Sequence, residues 1–330
     1  MYLGIYMKFL ILKTNDPYRN LAIEEYLFTH CDDDIFMLWQ NEPCIVIGKN
    51  QNAYAEINAQ FVRENNIKLV RRITGGGAVY HDLGNVNYTF IGEKAEQGID
   101  FAYFTQPIVL ALASLGVKVS LTGRNDLVAE TGEKISGNAQ HSSGKRVLHH
   151  GTLLFSSDLD VLSCALKVDE EKIKSKAIKS ARSRVTNISQ LIEADMTVSD
   201  FIAVLSDFLI RTYSPDIIDA PSGAEVDNLY AKYSSDEWLY PVGSYLSGYT
   251  VTKKKRYPFG TVELCLTMES SRIKKAKIFG DFFGIRPTEE LEKMLENADI
   301  TRLTELLSSL NLGEYIHGMT CEDFITLVNY

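Results

Sequence analysis

The stretch "RRITGGGAVYHDLGN", residues 71 to 85, sets three consecutive glycines directly after two arginines and before Val79, Tyr80, His81 and Asp82. Both flanks are strongly patterned: "IKLVRR" reads as a strand entering the glycines, and "VNYTFIG" alternates as a strand leaving the loop. The chain must therefore bend on main chain that carries no Cβ atoms. Such main chain lets a ligand lie against it and receive N–H hydrogen bonds. The loop is not a Walker loop, which needs GxxxxGK[ST], and it lacks the GxGxxG of a dinucleotide-binding turn. Taken alone, it fits equally well a glycine-rich hairpin with surface arginines. Arg71 and Arg72 alternate along a strand, so only one of them is expected to face a pocket.

Around this loop the pattern predicts short, mostly antiparallel strands mixed with helices. Strands are expected at residues 7 to 12 and over "IFMLWQ", "CIVIG", "VKVSL", "DLVAE", "KISGNAQ" and "RVLHHGTLLF". Helices are expected from about Tyr18 to Phe28, over "AEINAQFVRENN", over "TQPIVLALASLG" ending at Gly116, and across residues 158 to 175. Thr197 and Asp200 open a further amphipathic helix with a capping box. After Tyr213 the pattern weakens, and a boundary falls near residues 245 to 250. Beyond it two alternating runs, "TVELCLTM" and "RIKKAKIFGDFFG", precede helices at about 288–297, 300–311 and 319–328. The expected organisation is a larger unit, 1–247, and a small module, 248–330. The order lacks the regular strand–helix alternation of a doubly wound sheet, which makes the fold class α+β.

The 330 residues carry a net charge of −9, which argues against a general nucleic-acid binder but permits a local basic pocket. Five scattered cysteines without a CxxC fit reduced thiols in a cytoplasmic protein; Cys44 and Cys164 sit in apolar runs and read as core. The apolar start "MYLGIYMKFLIL" is too short to span a bilayer, so no membrane partner is expected.

Three further segments bear chemistry. In "GRNDLVAETGEKISGNAQ", Asn125 and Asp126 offer oxygens to a hard cation. Lys134 in the same segment is followed by the small residues Ser136 and Gly137, which leave room for a substrate; a solvated hairpin lysine is the alternative. "KAIKSARSRVTNI", residues 176 to 188, is a basic run containing Arg182, either a solvated face or a lid over phosphates. His149 and His150 are adjacent on a strand and point to opposite faces. Together with the absence of HExxH, this leaves no structural metal site expected.

These segments, in this order, resemble the lipoate–protein ligase A family over nearly the whole chain. "RRITGGGAVYHDLGN" is similar to its lipoate-binding loop, "GRNDLV", "KISGNAQ" and "HHGTLLF" to its central motifs, and "KSARSRVTNI" to its adenylate-binding loop. "NLAIEEYL" resembles its first helix, and "IFGDFFG" with the following helices its C-terminal accessory domain. The resemblance implies a fold shared with biotin ligases, a mixed, largely antiparallel sheet packed with helices. It implies ATP and Mg²⁺, with lipoate as substrate, lipoyl-AMP as intermediate, and acceptor lipoyl domains of 2-oxoacid dehydrogenase E2 subunits or the glycine cleavage H protein as partners.

Carried over by motif, Arg72, Gly77, Ala78, Val79, Tyr80, Asn85, Lys134 and Arg182 bind the nucleotide. Arg72, Gly75, Gly76, Gly77, His81, Lys134, Ser136, Gly137 and His150 surround lipoate. Lys134 is the catalytic group, and Asp126 the candidate for Mg²⁺. The chain departs from the family pattern at "DEWLYPVGSYLSGY", which lacks the family's lysine and bears on domain docking and acceptor choice. An octanoyl or lipoyl amidotransferase working through a cysteine, or a non-catalytic lipoate or adenylate binder, are the alternatives.

Overall fold

The computed structural model describes residues 7–93, 98–123, 125–167, 185–241 and 248–329. Along the chain the strands are β1 (Met7–Ile11), β2 (Asp34–Trp39), β3 (Cys44–Ile47), β4 (Lys68–Arg71), β5 (Val79–His81), β6 (Asn85–Glu93) and β7 (Val119–Thr122). They continue with β8 (Asp126–Ala129), β9 (Lys134–Ser143), β10 (Arg146–Leu154), β11 (Asp216–Ile217), β12 (Val251–Tyr257), β13 (Gly260–Glu269) and β14 (Arg272–Gly280).

One sheet has the order β11-β1-β2-β6-β10-β9-β8-β7. Within it β1 runs parallel to β2 and β11, and the remaining pairs are antiparallel. A second, small sheet has the order β4-β3-β5, so the glycine loop joins its two edges. The mixed, largely antiparallel α+β architecture agrees with the sequence pattern.

The large sheet is covered on both faces. Because side chains alternate along a strand, Phe36 and Leu38 face one way and Ile35, Met37 and Trp39 the other. The first set joins Tyr88 and Phe90 in a core closed by the helices Phe101–Ser114 and Val198–Tyr213; the second packs under the helix Pro17–His30. That last helix starts on Pro17 at its first turn, with the Asp16 carboxylate accepting from the Tyr18 N–H at 3.1 Å. The Val198–Tyr213 helix has the expected capping box of Thr197 and Asp200, and buries Phe201, Leu205 and Leu209 as one stripe.

Some elements differ from the sequence expectation. The helix expected over residues 55 to 66 is two short ones, Ala53–Glu56 and Ala59–Glu64. Ile57 between them is extended and bridges Leu166, and Asn58 caps the second by accepting from the Phe61 N–H. The helix expected at 300 to 311 breaks into a 3₁₀ turn, Ile300–Arg302, and a helix, Leu303–Ser308. Of residues 158 to 175, Leu159–Ala165 are helical, and those from 168 onward lie outside the described residues. In the polar region after Tyr213 the chain forms helices Ala224–Tyr233 and Asp236–Leu239. The first is amphipathic over just two buried positions, Val226 and Tyr233, and is tied to Pro17–His30 by Arg19–Asp227 and Lys232–Glu25, each at 2.7 Å.

Strands β12, β13 and β14 form an antiparallel meander with its own core, in which Leu264, Ile278, Leu291, Leu307 and Phe324 meet. Among the described residues no helix is long and apolar enough to cross a membrane. Leu205 is fully buried between sheet and helices. Leu205→Ala is expected to cost about 2–5 kcal/mol, read as a lower midpoint in urea denaturation at unchanged slope.

Candidate active site

Both arginines before the glycines are buried, and Arg72 but not Arg71 lines a cavity, as the alternation along the strand predicts. The Arg72 guanidinium donates to Val46 O (3.0 Å), Gly75 O (2.7 Å), Gly77 O (2.8 Å) and Thr74 Oγ1 (2.9 Å). Arg71 donates to Gly48 O, Lys49 O and Gln51 O through Nη1, and to Trp238 O and Leu239 O through Nε and Nη2. Trp238 returns the contact by donating Nε1–H to Arg71 O at 2.8 Å. Burial pulls each guanidinium down to about 10, which leaves both charged at neutral pH. Loop carbonyls that would otherwise lie buried and unpaired thus converge on two fixed cations.

Each glycine has its own reason. A Cβ on Gly75 would fall 2.4 Å from Phe282 O, and Gly76, at φ +91°, would push one to 3.0 Å from the Phe283 ring. The Gly76 N–H donates to Phe282 O at 3.1 Å. These two glycines therefore receive the C-terminal module. Gly77 alone of the three lines the cavity, and a Cβ there would meet nothing within 4 Å.

That cavity holds about 380 Å³, within the range of small-molecule sites. One part is lined by Asn125, Asp126 and Lys134 on the β8–β9 side, another by Leu21, Trp39 and Val46. Trp39 on β2 and Asp126 on β8 lie four strands apart in the sheet order, roughly 19 Å at ordinary strand spacing. The site is therefore elongated, with a charged end and an apolar end. At the charged end Lys134 Nζ meets Asp126 Oδ1 at 2.8 Å, with both side chains about a third exposed. A Cβ on Gly137 would fall 2.8 Å from Lys134 Nζ, so that glycine makes room for the amine. The Lys134 carbonyl accepts from the Thr186 N–H at 3.0 Å, which ties the end of the basic run 176–188 to the lysine's own backbone.

Of the residues singled out by sequence, Arg72, Gly77, Ala78, Val79 and His81 line the cavity together with Asp126, Lys134, Gly137 and His150. Tyr80 and Ser136 are buried away from it, and Gly75, half-buried, and Gly76, buried, lie against the C-terminal module instead. Asn85 is buried and donates to Asn87 Oδ1 at 2.9 Å, and it is Asn87 that reaches the cavity. Arg182 lies outside the described residues. Sequence reasoning missed Trp39, Asn138 and Thr152, and also Arg256 and Pro258, which enter from β12 and the turn after it. Trp39, Asn138 and Thr152 occupy alternate positions of strands already recognised; Arg256 had no signal, because it arrives from another module.

Hydrogen-bond direction fixes the state of the buried histidines. Asn20 Nδ2 donates to Asn41 Oδ1, so the Asn41 amide N–H points to His81 Nδ1 at 3.1 Å. His81 then carries its proton on Nε2. Burial, helped by the Arg72 charge, lowers its pKa to about 3, so the ring is neutral. His150 faces the cavity, with Nδ1 2.9 Å from Glu24 Oε1 and Nε2 2.9 Å from Thr74 Oγ1. Glu24 also accepts from Thr89 Oγ1, which in turn accepts from Trp39 Nε1. One polar chain thus runs from the apolar end of the cavity to the glycine loop. His149, on the opposite face, stacks on Phe104 at 5.4 Å and is held neutral by burial.

The profile of the lipoyl protein ligase A/B catalytic domain matches residues 16–210, and that of the bacterial lipoate protein ligase C-terminus matches residues 247–328. Lipoate-protein ligase LplJ of Bacillus subtilis (strain 168) is 41% identical over 323 residues, 95% of this chain and 97% of that protein. Among solved structures, P. falciparum LipL1 in complex with lipoate superposes with a TM-score of 0.79 at 25% identity, over 98% of both chains. A bipartite lipoate protein ligase of Thermoplasma acidophilum, solved in a study of that ligase and its E2 lipoyl domain, covers 72% of this chain and 97% of its own at 29% identity and TM-score 0.63. A lipoate-protein ligase A bound with ATP covers 71% of this chain and 98% of its own at 26% identity and TM-score 0.61.

Two outcomes are expected from this geometry. Arg72→Lys removes the fork that serves four acceptors and leaves buried carbonyls unpaired, at a cost of roughly 3 kcal/mol or more in urea unfolding; a loss below about 1 kcal/mol would show that the loop holds without it. The second concerns acid. His81 (about 3), His141 (about 4) and His149 are all depressed from 6.5 by burial. The unfolded chain takes up these protons near pH 6.5 while the folded one does not. Stability is therefore full above pH 6.5 and falls below it, by up to about 1.4 kcal/mol per pH unit for each histidine. Thermal midpoints between pH 7 and 5 check this, and His141→Gln is expected to flatten the decline.

Proposed function

The chain belongs to the lipoyl protein ligase A/B family, and we propose that its elongated cavity carries out both steps of an ATP-dependent lipoate–protein ligase. Lipoate and ATP give lipoyl-AMP and pyrophosphate; a lysine of an acceptor lipoyl domain then takes the lipoyl group and AMP leaves. The observation that carries the assignment of steps to residues is the pairing of Lys134 and Asp126 at one end of a cavity whose other end is apolar. A long acid with a hydrocarbon tail fits that polarity, its carboxylate near Lys134 and its tail toward Trp39.

In the first step a carboxylate oxygen of lipoate attacks the α-phosphorus, and the bond to the β-phosphate oxygen breaks with its electrons leaving on pyrophosphate. Negative charge grows on the α-phosphate oxygens. In the second step the acceptor amine attacks the acyl carbon, charge grows on the carbonyl oxygen, and AMP leaves. One ammonium beside both atoms stabilises both transition states. Lys134 fills that role electrostatically, not as a nucleophile. The main chain at Gly77, Ala78 and Val79 lines the same space and offers N–H groups to phosphate oxygens. Arg72, spent on carbonyls, acts by shaping that main chain.

Asp126 is the carboxylate suited to Mg²⁺, which binds through one or two protein carboxylates together with phosphate oxygens and would offset phosphate charge. No larger cluster of metal-ligating side chains occurs among the described residues. None of the five cysteines lines the cavity, and burial pushes the Cys44 thiol far up, which speaks against a thioester relay. Acceptors are lipoyl domains, with E2 subunits and the glycine cleavage H protein as the specific candidates, and the enzyme works in the cytoplasm. Residues 1–247 form the catalytic unit and 248–330 the accessory one, in keeping with their separate cores.

Incubation of the enzyme with lipoate, ATP and a candidate acceptor domain is expected to add one lipoyl mass to the acceptor, and transfer without nucleotide would overturn the assignment. Lys134→Ala is expected to slow lipoyl-AMP formation by roughly 100- to 1,000-fold, and Lys134→Arg not to restore it. A folded Lys134→Ala protein with full adenylation would remove the lysine from the mechanism.

A further inference from the structure

We propose that a second cavity, on the other side of the glycine loop from the catalytic one, is an effector site for a small anion with an apolar body, held by Lys49. The binding stands on its own observations; its effect on lipoate rests on the ligase reading.

This cavity holds about 400 Å³ and lies at the seam of the two modules. Lys49, Ile73 and Gly75 line it together with the end of β9 at His141 and Ser143, and residues 284–287 close it from the C-terminal module. The glycine loop is a wall common to both spaces: Arg72 and Gly77 line the catalytic one, Ile73 and Gly75 the other.

The lining carries a charge without a counter-charge. No Asp or Glu belongs to it among the described residues. Arg286 is already paired with Glu290 and with Glu314, the latter at 3.5 Å. The Lys49 side chain is only partly exposed, yet it makes no hydrogen bond or ion pair among the described residues. Its charge is felt across the cavity: burial first, and then Lys49, push His141 down to about 4, so that ring is neutral. A half-buried ammonium with no partner favours an anion beside it. Ile73, Ile285 and Pro287 supply apolar surface in the same space. A phosphate monoester or carboxylic acid on a small ring or short chain matches that lining.

Main-chain bonds join this site to the catalytic one. The Lys49 N–H donates to Thr74 O at 2.8 Å, and Lys49 O accepts from Arg71 Nη1 at 2.9 Å. The Thr74 hydroxyl accepts from Arg72 Nε and meets His150 Nε2, each at 2.9 Å, and both of those residues line the catalytic cavity. A ligand that draws on Lys49 or presses on Gly75 therefore acts on the wall of the neighbouring space. Coupling of this kind is reciprocal in affinity.

Phenyl phosphate, an anion on an apolar ring, tests this by titration calorimetry on the full chain. Binding is expected with a Kd below about 1 mM. Lys49→Met should weaken it roughly tenfold or more, the worth of a hydrogen bond to a charged group, while Lys49→Arg stays within about threefold and Lys134→Ala within about twofold of the parent. Because the Lys49 side chain bonds to nothing, these variants should keep the parent's thermal midpoint. The Kd for lipoate should change about fivefold or more when phenyl phosphate is present, and the Kd for phenyl phosphate by the same factor when lipoate is present. An absence of binding overturns the site, as does binding that Lys134→Ala removes and Lys49→Met spares. Equal lipoate affinity with and without phenyl phosphate overturns the effector role. Should the chain not bind lipoate at all, the ligase reading and the effector role fail together, while loss of phenyl phosphate binding in Lys49→Met would still establish the site.

Discussion

Two guanidinium groups shielded from water hold the catalytic unit's binding loop in shape. A glycine-rich segment has many conformations to lose, and nothing in its side chains to choose among them. Arg72 resolves this by drawing three carbonyls and one hydroxyl onto a single planar fork. Arg71 does the same for the neighbouring Gly48–Gln51 turn and for Trp238 and Leu239. A lysine offers three donors around a point and cannot reproduce that geometry. The charge that seemed available for a ligand is thus used internally, and Lys134 is the cation at the other, charged end of the cavity.

The rest of the site follows from where the frozen loop lies between two sheets. Strand β5 carries His81 to the apolar end, and β9 carries Lys134 to the charged end. Between them the chain from Trp39 through Thr89, Glu24 and His150 to Thr74 links the wall of the cavity to the loop itself. Each link of that chain is buried, so the wall at Trp39 and the loop at Thr74 are held in one hydrogen-bonded network.

Much of this was legible in the sequence, for physical reasons that differ by element. The strands around the glycines and the capped helix at Thr197 announce themselves through period and local hydrogen bonding, which a short window contains. The nearness of Lys134 to Gly77 came from motif order, because nothing local brings β9 to the loop. The burial of Arg71 and Arg72 was hidden, since their partners are main-chain carbonyls and every residue has one. The helix Ala224–Tyr233 was missed because two buried positions in ten make a faint stripe. The three glycines looked alike on paper, and their different duties emerged only with Phe282 and Phe283 in place.

The contact of Gly75 with the Phe282–Phe283 turn is main chain against main chain, and Gly76 adds an N–H bond to Phe282 O beneath the Phe283 ring. Contacts between side chains can drift over generations, a larger group on one side answered by a smaller one on the other. Bare backbone has no such vocabulary. The glycines admit no enlargement, and the opposing turn can respond only by moving as a body. Lineages that keep this module should therefore inherit the pair of glycines with it, and those that shed the module are released to vary there, while Gly77, which faces the cavity, answers to a different neighbour.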